Sequence, residues 1–153
     1  MTQEDKILLI KDLSARLPYA VTVEHTSGFR GTLHDITVHH MYDENDNVYD
    51  AICYTDFFGD EDDIYIEYFK PYLFPLSSMT EEQKQEFLSI AGYERREEDC
   101  GRHTETYYYD MVGHENTLYP NCDDIDWLNK NHFDYRHLIE KGLAIDATGL
   151  NIY

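Results

Sequence analysis

The stretch Val21-Thr22-Val23-Glu24-His25-Thr26-Ser27-Gly28-Phe29-Arg30-Gly31-Thr32-Leu33-His34-Asp35-Ile36-Thr37-Val38-His39-His40 decides the fold class. Val21 and Val23 alternate with Thr22 and Glu24, a period of two that belongs to a half-buried strand. Ser27-Gly28 is a turn signal, and the alternation resumes from Gly31 with Ile36 and Val38 on one face and Asp35, Thr37 and His39 on the other. Before this hairpin, Ile7, Ile10, Leu13 and Leu17 recur at three- and four-residue steps, predicting a core-packing helix over 2–17. Glu4 and Asp5 suit its positive end, and Pro18 stops it. After the hairpin, 43–47 is a polar turn, 48–55 a third strand, 60–63 an acidic loop and 64–68 a fourth strand. Consecutive strands joined by short turns make an antiparallel meander the simplest arrangement.

Farther on, Pro71 and Pro75 exclude 70–76 from a central strand, since proline has no N–H for the ladder. Thr80 with Gln83 forms a capping box that opens a second helix, whose buried face is Phe87, Leu88 and Ala91 and whose end is Gly92. Residues 105–111, with Tyr107, Tyr108 and Tyr109, form a candidate fifth strand. A short helix is expected over 124–131, then another capped by Asp134, with Phe133 stapled against Leu138 and Gly142 as terminator. The reading is one α+β domain over 1–153: a four- to five-stranded antiparallel meander with the N-terminal helix and short C-terminal helices on one face.

Composition agrees with a packed chain. Net charge is −19, which favours disorder, but fourteen Tyr, seven Phe and one Trp are far more than a chain avoiding collapse carries. No apolar run approaches the roughly 20 residues of a membrane span, and no basic region precedes an apolar block at the start, so cytoplasmic residence is expected. Three cysteines at wide spacing do not form a disulfide framework.

Two segments resemble a known group. Residues 70–83, from Lys70-Pro71-Tyr72-Leu73-Phe74-Pro75-Leu76 to Thr80-Glu81-Glu82-Gln83, are similar to a stretch in small uncharacterised proteins of phages and mobile elements of gut Bacteroidales. Asp126-Trp127-Leu128-Asn129-Lys130-Asn131-His132-Phe133-Asp134-Tyr135-Arg136 and Leu138-Ile139-Glu140-Lys141-Gly142-Leu143-Ala144 resemble the C-terminal signature of the same group, which more often carries glycine at the position of His137. The resemblance implies a genomic setting, a phage or integrated-element accessory protein, and no particular activity.

Few constellations carry chemistry. Cys100, His103, His114 and Cys122 are all zinc-ligand types, and the opening C-x2-H has usable spacing. The later intervals match no zinc finger and provide no second close pair, so no metal or cofactor is expected, and these four are the ligand set only if one binds. His34 and His40 share a strand face and His39 points the other way, while His25 has a cross-strand pairing with His34 or His39 open to it. Asp43, Asn45 and Asn47 mimic the opening of a calcium loop, but Val48 replaces its glycine and Tyr54 its closing glutamate. There is no P-loop, G-x-G-x-x-G, G-x-S-x-G or H-E-x-x-H.

The charge distribution is the strongest signal. Between Arg30 and Lys70 there is no lysine or arginine, against Asp35, Asp43, Glu44, Asp46, Asp50, Asp56, Asp60, Glu61, Asp62, Asp63 and Glu67. Such a field opposes direct contact with nucleic acid or an anionic membrane and favours a basic partner. The binding residues expected are Asp43, Glu44, Asp46, Asp50, Asp56, Asp60, Glu61, Asp62 and Asp63, on an acidic face of the sheet. Together with the phage setting this points to a non-enzymatic interaction protein whose partner is a basic host protein, in the sharpest form a nucleic-acid-mimicking decoy. A structural or assembly component of a phage, and a small enzyme or metal-binding protein with an unrecognised site, are the alternatives.

Overall fold

A computed structural model describes residues 1–41, 48–55, 65–99, 104–110 and 122–153, the side chains of 39–41, 48–50, 52, 93–99 and 104–110 excepted. The chain falls into two compact units, Met1–Leu76 with Asn129–Tyr153, and Ser77–Leu128. It is an α+β structure with an N-terminal helix, a mixed sheet that is mostly antiparallel, and shorter helices.

In the first unit, α1 (Gln3–Arg16) starts at a capping box. Thr2 Oγ1 accepts from Asp5 N and Asp5 Oδ2 accepts from Thr2 N, both at 3.1 Å, so two otherwise orphaned donors are satisfied. Hydrogen bonding from the Thr2 side chain, and then from the Thr2 backbone, holds the Asp5 carboxyl below its usual range. The helix gives way to a 3-10 turn, Leu17–Tyr19, once Pro18 removes a donor, and Ala20 turns the chain at φ 54°. Leu9 and Leu13 are completely buried, as the periodicity requires.

Strands β1 (Thr22–His25), β2 (Arg30–Met41) and β3 (Val48–Thr55) pair antiparallel in sequence order. The Thr26–Phe29 turn keeps the register symmetric, with Glu24 opposite Arg30 and Thr22 opposite Thr32, and Gly28 supplies the φ of +87° that the turn demands. A register shift between Leu33 and Asp35 inserts His34 as an extra residue, so buried Leu33 and half-buried Ile36 share a face despite their odd spacing.

The meander ends there. Tyr65 follows undescribed chain, Ile66–Tyr68 is a 3-10 turn instead of the expected fourth strand, and residue 64 lies outside the described residues. The strand is instead the proline-bearing segment, β4 (Phe69–Pro75), and it lies beside β1, not β3, giving the order β3-β2-β1-β4-β7 with β8 also on β4. Both prolines are tolerated because of where the ladders stop. Pro71 is the last residue paired with β1, opposite Val23, and the parallel ladder with β8 (Ile145–Asp146) begins one residue later at Tyr72. Pro75 is the last residue paired with β7 (Phe133–Asp134). Phe69, Pro71, Tyr72 and Leu73 are all buried, the near-continuous apolar run of a strand covered on both faces.

Residues 135–143 are turns, not the helix expected after Asp134. Asp134 still caps: its two carboxylate oxygens accept from Leu138 N at 2.9 Å and Ile139 N at 2.8 Å. His137 at φ 59° takes the segment out of right-handed helical geometry, and Gly142 at φ 71° closes it with Leu143 N donating to Leu138 O at 2.9 Å. The core joins Leu9 and Leu13 of α1 to Val21, Val23, Leu33, Ala51, Cys53, Phe69 and Leu73 of the sheet, with Ile66, Leu138 and Leu143 closing its margins.

In the second unit, α2 (Glu81–Ile90) has the expected capping box, Gln83 N donating to Thr80 Oγ1 at 3.2 Å and Thr80 N to Gln83 Oε1 at 2.9 Å. Leu88 is its buried residue, and Phe87 meets Trp127 with ring centroids 5.4 Å apart. The tyrosine-rich strand β6 (Thr104–Asp110) does not extend the main sheet. It pairs antiparallel with β5 (Tyr93–Asp99), a charged segment with no apolar alternation to announce it. Helix α3 (Cys122–Lys130) runs across the boundary at 128/129. Among the described residues no helix is long and apolar enough to cross a membrane.

Candidate functional site

Of the nine carboxylates expected to form the binding face, Asp43, Glu44, Asp46, Asp56, Asp60, Glu61, Asp62 and Asp63 lie outside the described residues, and Asp50 stands in β3 opposite His39. Two other acids of the base-free stretch are placed. Asp35 is exposed on β2, and Glu67 is met by Lys6 of α1 at 2.8 Å. Cys100, His103 and His114 also lie outside the described residues, while Cys122 is an exposed free thiol opening α3. Among the described residues no three His, Cys, Asp or Glu side chains gather as a metal site.

His25 is not paired with His34 or His39. The β1 ladder with β2 reaches only Glu24, and His25 sits opposite Phe69 on β4. Its Nδ1 lies 2.5 Å from Ser27 Oγ and accepts from Ser27 N at 3.2 Å, which makes it part of the turn. Its ring lies 5.8 Å from that of Tyr68 and 5.4 Å from that of Phe69.

That turn is one part of a polar end of the sheet. Thr26 N donates to Tyr68 O at 2.9 Å, so the β1–β2 turn and the Ile66–Tyr68 turn are tied together. Phe29, Tyr65 and Tyr68 are 48%, 37% and 43% exposed at this end. Beside them Glu24 has Arg30 as its register partner on one side and Lys70 on the other. Arg30 Nε donates to Glu24 Oε2 at 2.9 Å, the Arg30 guanidinium lies 5.0 Å over the Tyr72 ring, and the Tyr72 hydroxyl donates to Glu24 Oε2. The tyrosine's bond and then the arginine's hold the Glu24 carboxyl below its usual range, while burial, followed by that bond to Glu24, pushes the Tyr72 hydroxyl up to about 12.

A second charged group is buried. Arg16 grips Asp12 through Nε at 2.7 Å and Nη2 at 3.1 Å, Nη2 also donates to Phe133 O at 2.8 Å, and neither side chain is exposed. Arg136 Nε lies 3.4 Å from Asp12 Oδ1, and both guanidinium groups lie over the Tyr135 ring, whose hydroxyl donates to Asn129 Oδ1. Nearby, buried His132 stacks on Tyr153 with centroids 3.7 Å apart and planes 7° from parallel. Tyr153 Oη donates to Tyr72 O at 2.7 Å and accepts from Thr22 N at 3.3 Å. Burial first, then the charge of Arg16, pushes His132 down to about 4, so it is neutral near pH 7.

Sequence reading missed both groups. The signals were present: Asp12 and Arg16 are spaced i, i+4 on the side of α1 that carries Leu9 and Leu13, and a turn centred near Ser27 puts Glu24 opposite Arg30. No family model, curated protein or solved structure matches the chain.

Proposed function

We propose that this chain is a non-enzymatic acidic interaction protein of a phage or mobile element, and that its partner is a basic, nucleic-acid-handling host protein for which it acts as a decoy. The observation that carries this reading is the run from Arg30 to Lys70, with eleven acids and no lysine or arginine inside it. The use made of the bases supports it. Lys6, Arg16, Arg30, Lys84 and Arg136 each hold a carboxylate of this same chain, so a good part of the small positive complement is engaged internally while the acids stay in excess. A field of that sign attracts a basic surface from a distance and repels nucleic acid.

The test is capture from a Bacteroidales host lysate on immobilised protein at low and high salt, followed by elution with duplex DNA. The expected result is retention of DNA- or RNA-binding proteins at low salt, released by salt and displaced by DNA. Retention of nothing, or of proteins indifferent to both salt and DNA, contradicts the reading.

A further inference from the structure

Along one edge of β4 the neighbouring strand changes, and a tyrosine side chain fills the join. In an antiparallel pair, alternate residues of a strand turn their N–H and C=O toward the same neighbour. On β1 and its turn those facing β4 are Thr22, Glu24 and Thr26: Thr26 N donates to Tyr68 O at 2.9 Å, and Glu24 stands opposite Lys70. The next step of that register puts Thr22 opposite Tyr72, where a continued ladder would place Thr22 N on Tyr72 O.

The ladder does not continue. Tyr153 Oη stands between the two, accepting from Thr22 N at 3.3 Å and donating to Tyr72 O at 2.7 Å. One phenol thus supplies the acceptor and the donor that the strands withhold from each other. Two residues farther along the same edge, Phe74 N donates to His132 O at 2.9 Å and β7 takes over. The Tyr153 ring is seated on these elements too, stacked on His132 at 3.7 Å and lying 6.0 Å from the Phe74 ring. Burial pushes its hydroxyl up to about 12, so it remains a protonated phenol that both donates and accepts.

Tyr153 is held there by its own side chain. Gly149, at φ 74°, and Leu150, whose N donates to Ala147 O at 3.0 Å, make a turn. Beyond it, among the described residues, no backbone hydrogen bond ties 151–153 to a strand. Leu150 and Tyr153 are 44% and 46% exposed. A segment with so few backbone bonds opens separately from the core. The amide of Leu33, bonded to Val21 O at 2.9 Å between two buried residues, is freed only when the sheet itself comes apart.

We infer that the gap between β1 and β7 on β4 is a binding slot for a para-substituted phenol, and that Tyr153 is a strap which fills the slot and opens locally to expose it. Closed, the strap completes the sheet edge. Open, it presents a backbone donor, a backbone acceptor and an imidazole face to another ring of that class.

Amide hydrogen exchange read by NMR, corrected for intrinsic rates, tests both halves. In wild type the Thr22 amide should exchange about tenfold or more faster than that of Leu33. Equal rates mean that the strap does not open by itself, and overturn the inference. Tyr153→Phe keeps the ring and deletes the hydroxyl; it should speed Thr22 relative to Leu33 by about fivefold or more, and an unchanged ratio shows that the phenol does not guard that amide. In Tyr153→Ala, millimolar p-cresol should restore the wild-type ratio, and toluene, which lacks the hydroxyl, should not. No effect of p-cresol, or an equal effect of toluene, overturns the slot as a phenol site.

Discussion

The first unit builds the same trio, an arginine, a tyrosine and a carboxylate, at two places, and the burial of the ion pair separates them. Asp12, Arg16 and Tyr135 are joined by Arg136 where α1 meets β7, with the Asp12 and Arg16 side chains wholly out of water. Glu24, Arg30 and Tyr72 stand at the turn end of the sheet, where the Arg30 and Glu24 side chains are 54% and 28% exposed. Taken out of water, a charge without its partner is strongly unfavourable, so the first group fixes how α1 seats on the C-terminal segment. At the wet end the pair gains little from Coulomb attraction, and its value is in aligning side chains around a turn. Identical residue types thus form a dry ion pair at one place and a partly solvated one at the other.

The largest expected effect tests the buried group. Asp12→Ala leaves Arg16 buried without its carboxylate and should lower stability by about 3–5 kcal/mol, read from urea unfolding. A loss under about 1 kcal/mol would erase the distinction between the two trios. Next is His132. Its proton is refused by the folded chain until pH falls to about 4, while the unfolded chain takes it near 6.5. Its contribution is therefore complete above about pH 6.5, is lost as pH falls toward 4, and totals about 3 kcal/mol at most. Unfolding at pH 7.5 and pH 4.5 should show a drop in wild type that exceeds the drop in His132→Gln by most of that amount; parallel losses would show that the Tyr153 stack does not depend on a neutral imidazole.

A smaller gain is expected from His137→Gly. At φ 59° the histidine's Cβ is disfavoured, and among the described residues its ion-pair partner is exposed Glu140 at 3.5 Å. Glycine should stabilise by up to about 1 kcal/mol, measured by the urea midpoint, and a destabilised variant would mean the side chain holds the turn. Smallest of all is Glu24→Gln, at about 0.5 kcal/mol or less. A loss approaching that of Asp12→Ala would move the turn-end trio into the structural class.

Much of this architecture was legible. The three-and-four spacing of Ile7, Ile10, Leu13 and Leu17, the alternation at Val21 and Val23, and the Thr80–Gln83 box each have one local solution, and the chain adopts it. The failures came where a local rule has a long-range exception. Pro71 and Pro75 argue against a central strand only if a ladder needs their N–H, and β4 changes partner after Pro71 and ends its last ladder at Pro75. The Ile66–Tyr68 stretch has strand-like composition, yet it is used to turn the chain into β4. Phe133 and Asp134 read as a staple and a cap, and the cap is real, but His137 adopts a left-handed backbone, which takes the chain out of the helix expected after the cap. For the candidate site, sequence gives the sign and density of charge. It does not say that Lys6 of α1 reaches Glu67, because that contact depends on how helix and sheet pack.

The account turns on attraction between excess carboxylate and a basic partner. The most direct measurement is the affinity of the wild-type chain for nona-arginine as salt is raised from about 50 to about 300 mM. A fall of about tenfold or more, linear on logarithmic axes, is predicted. An affinity unchanged across that range would contradict it.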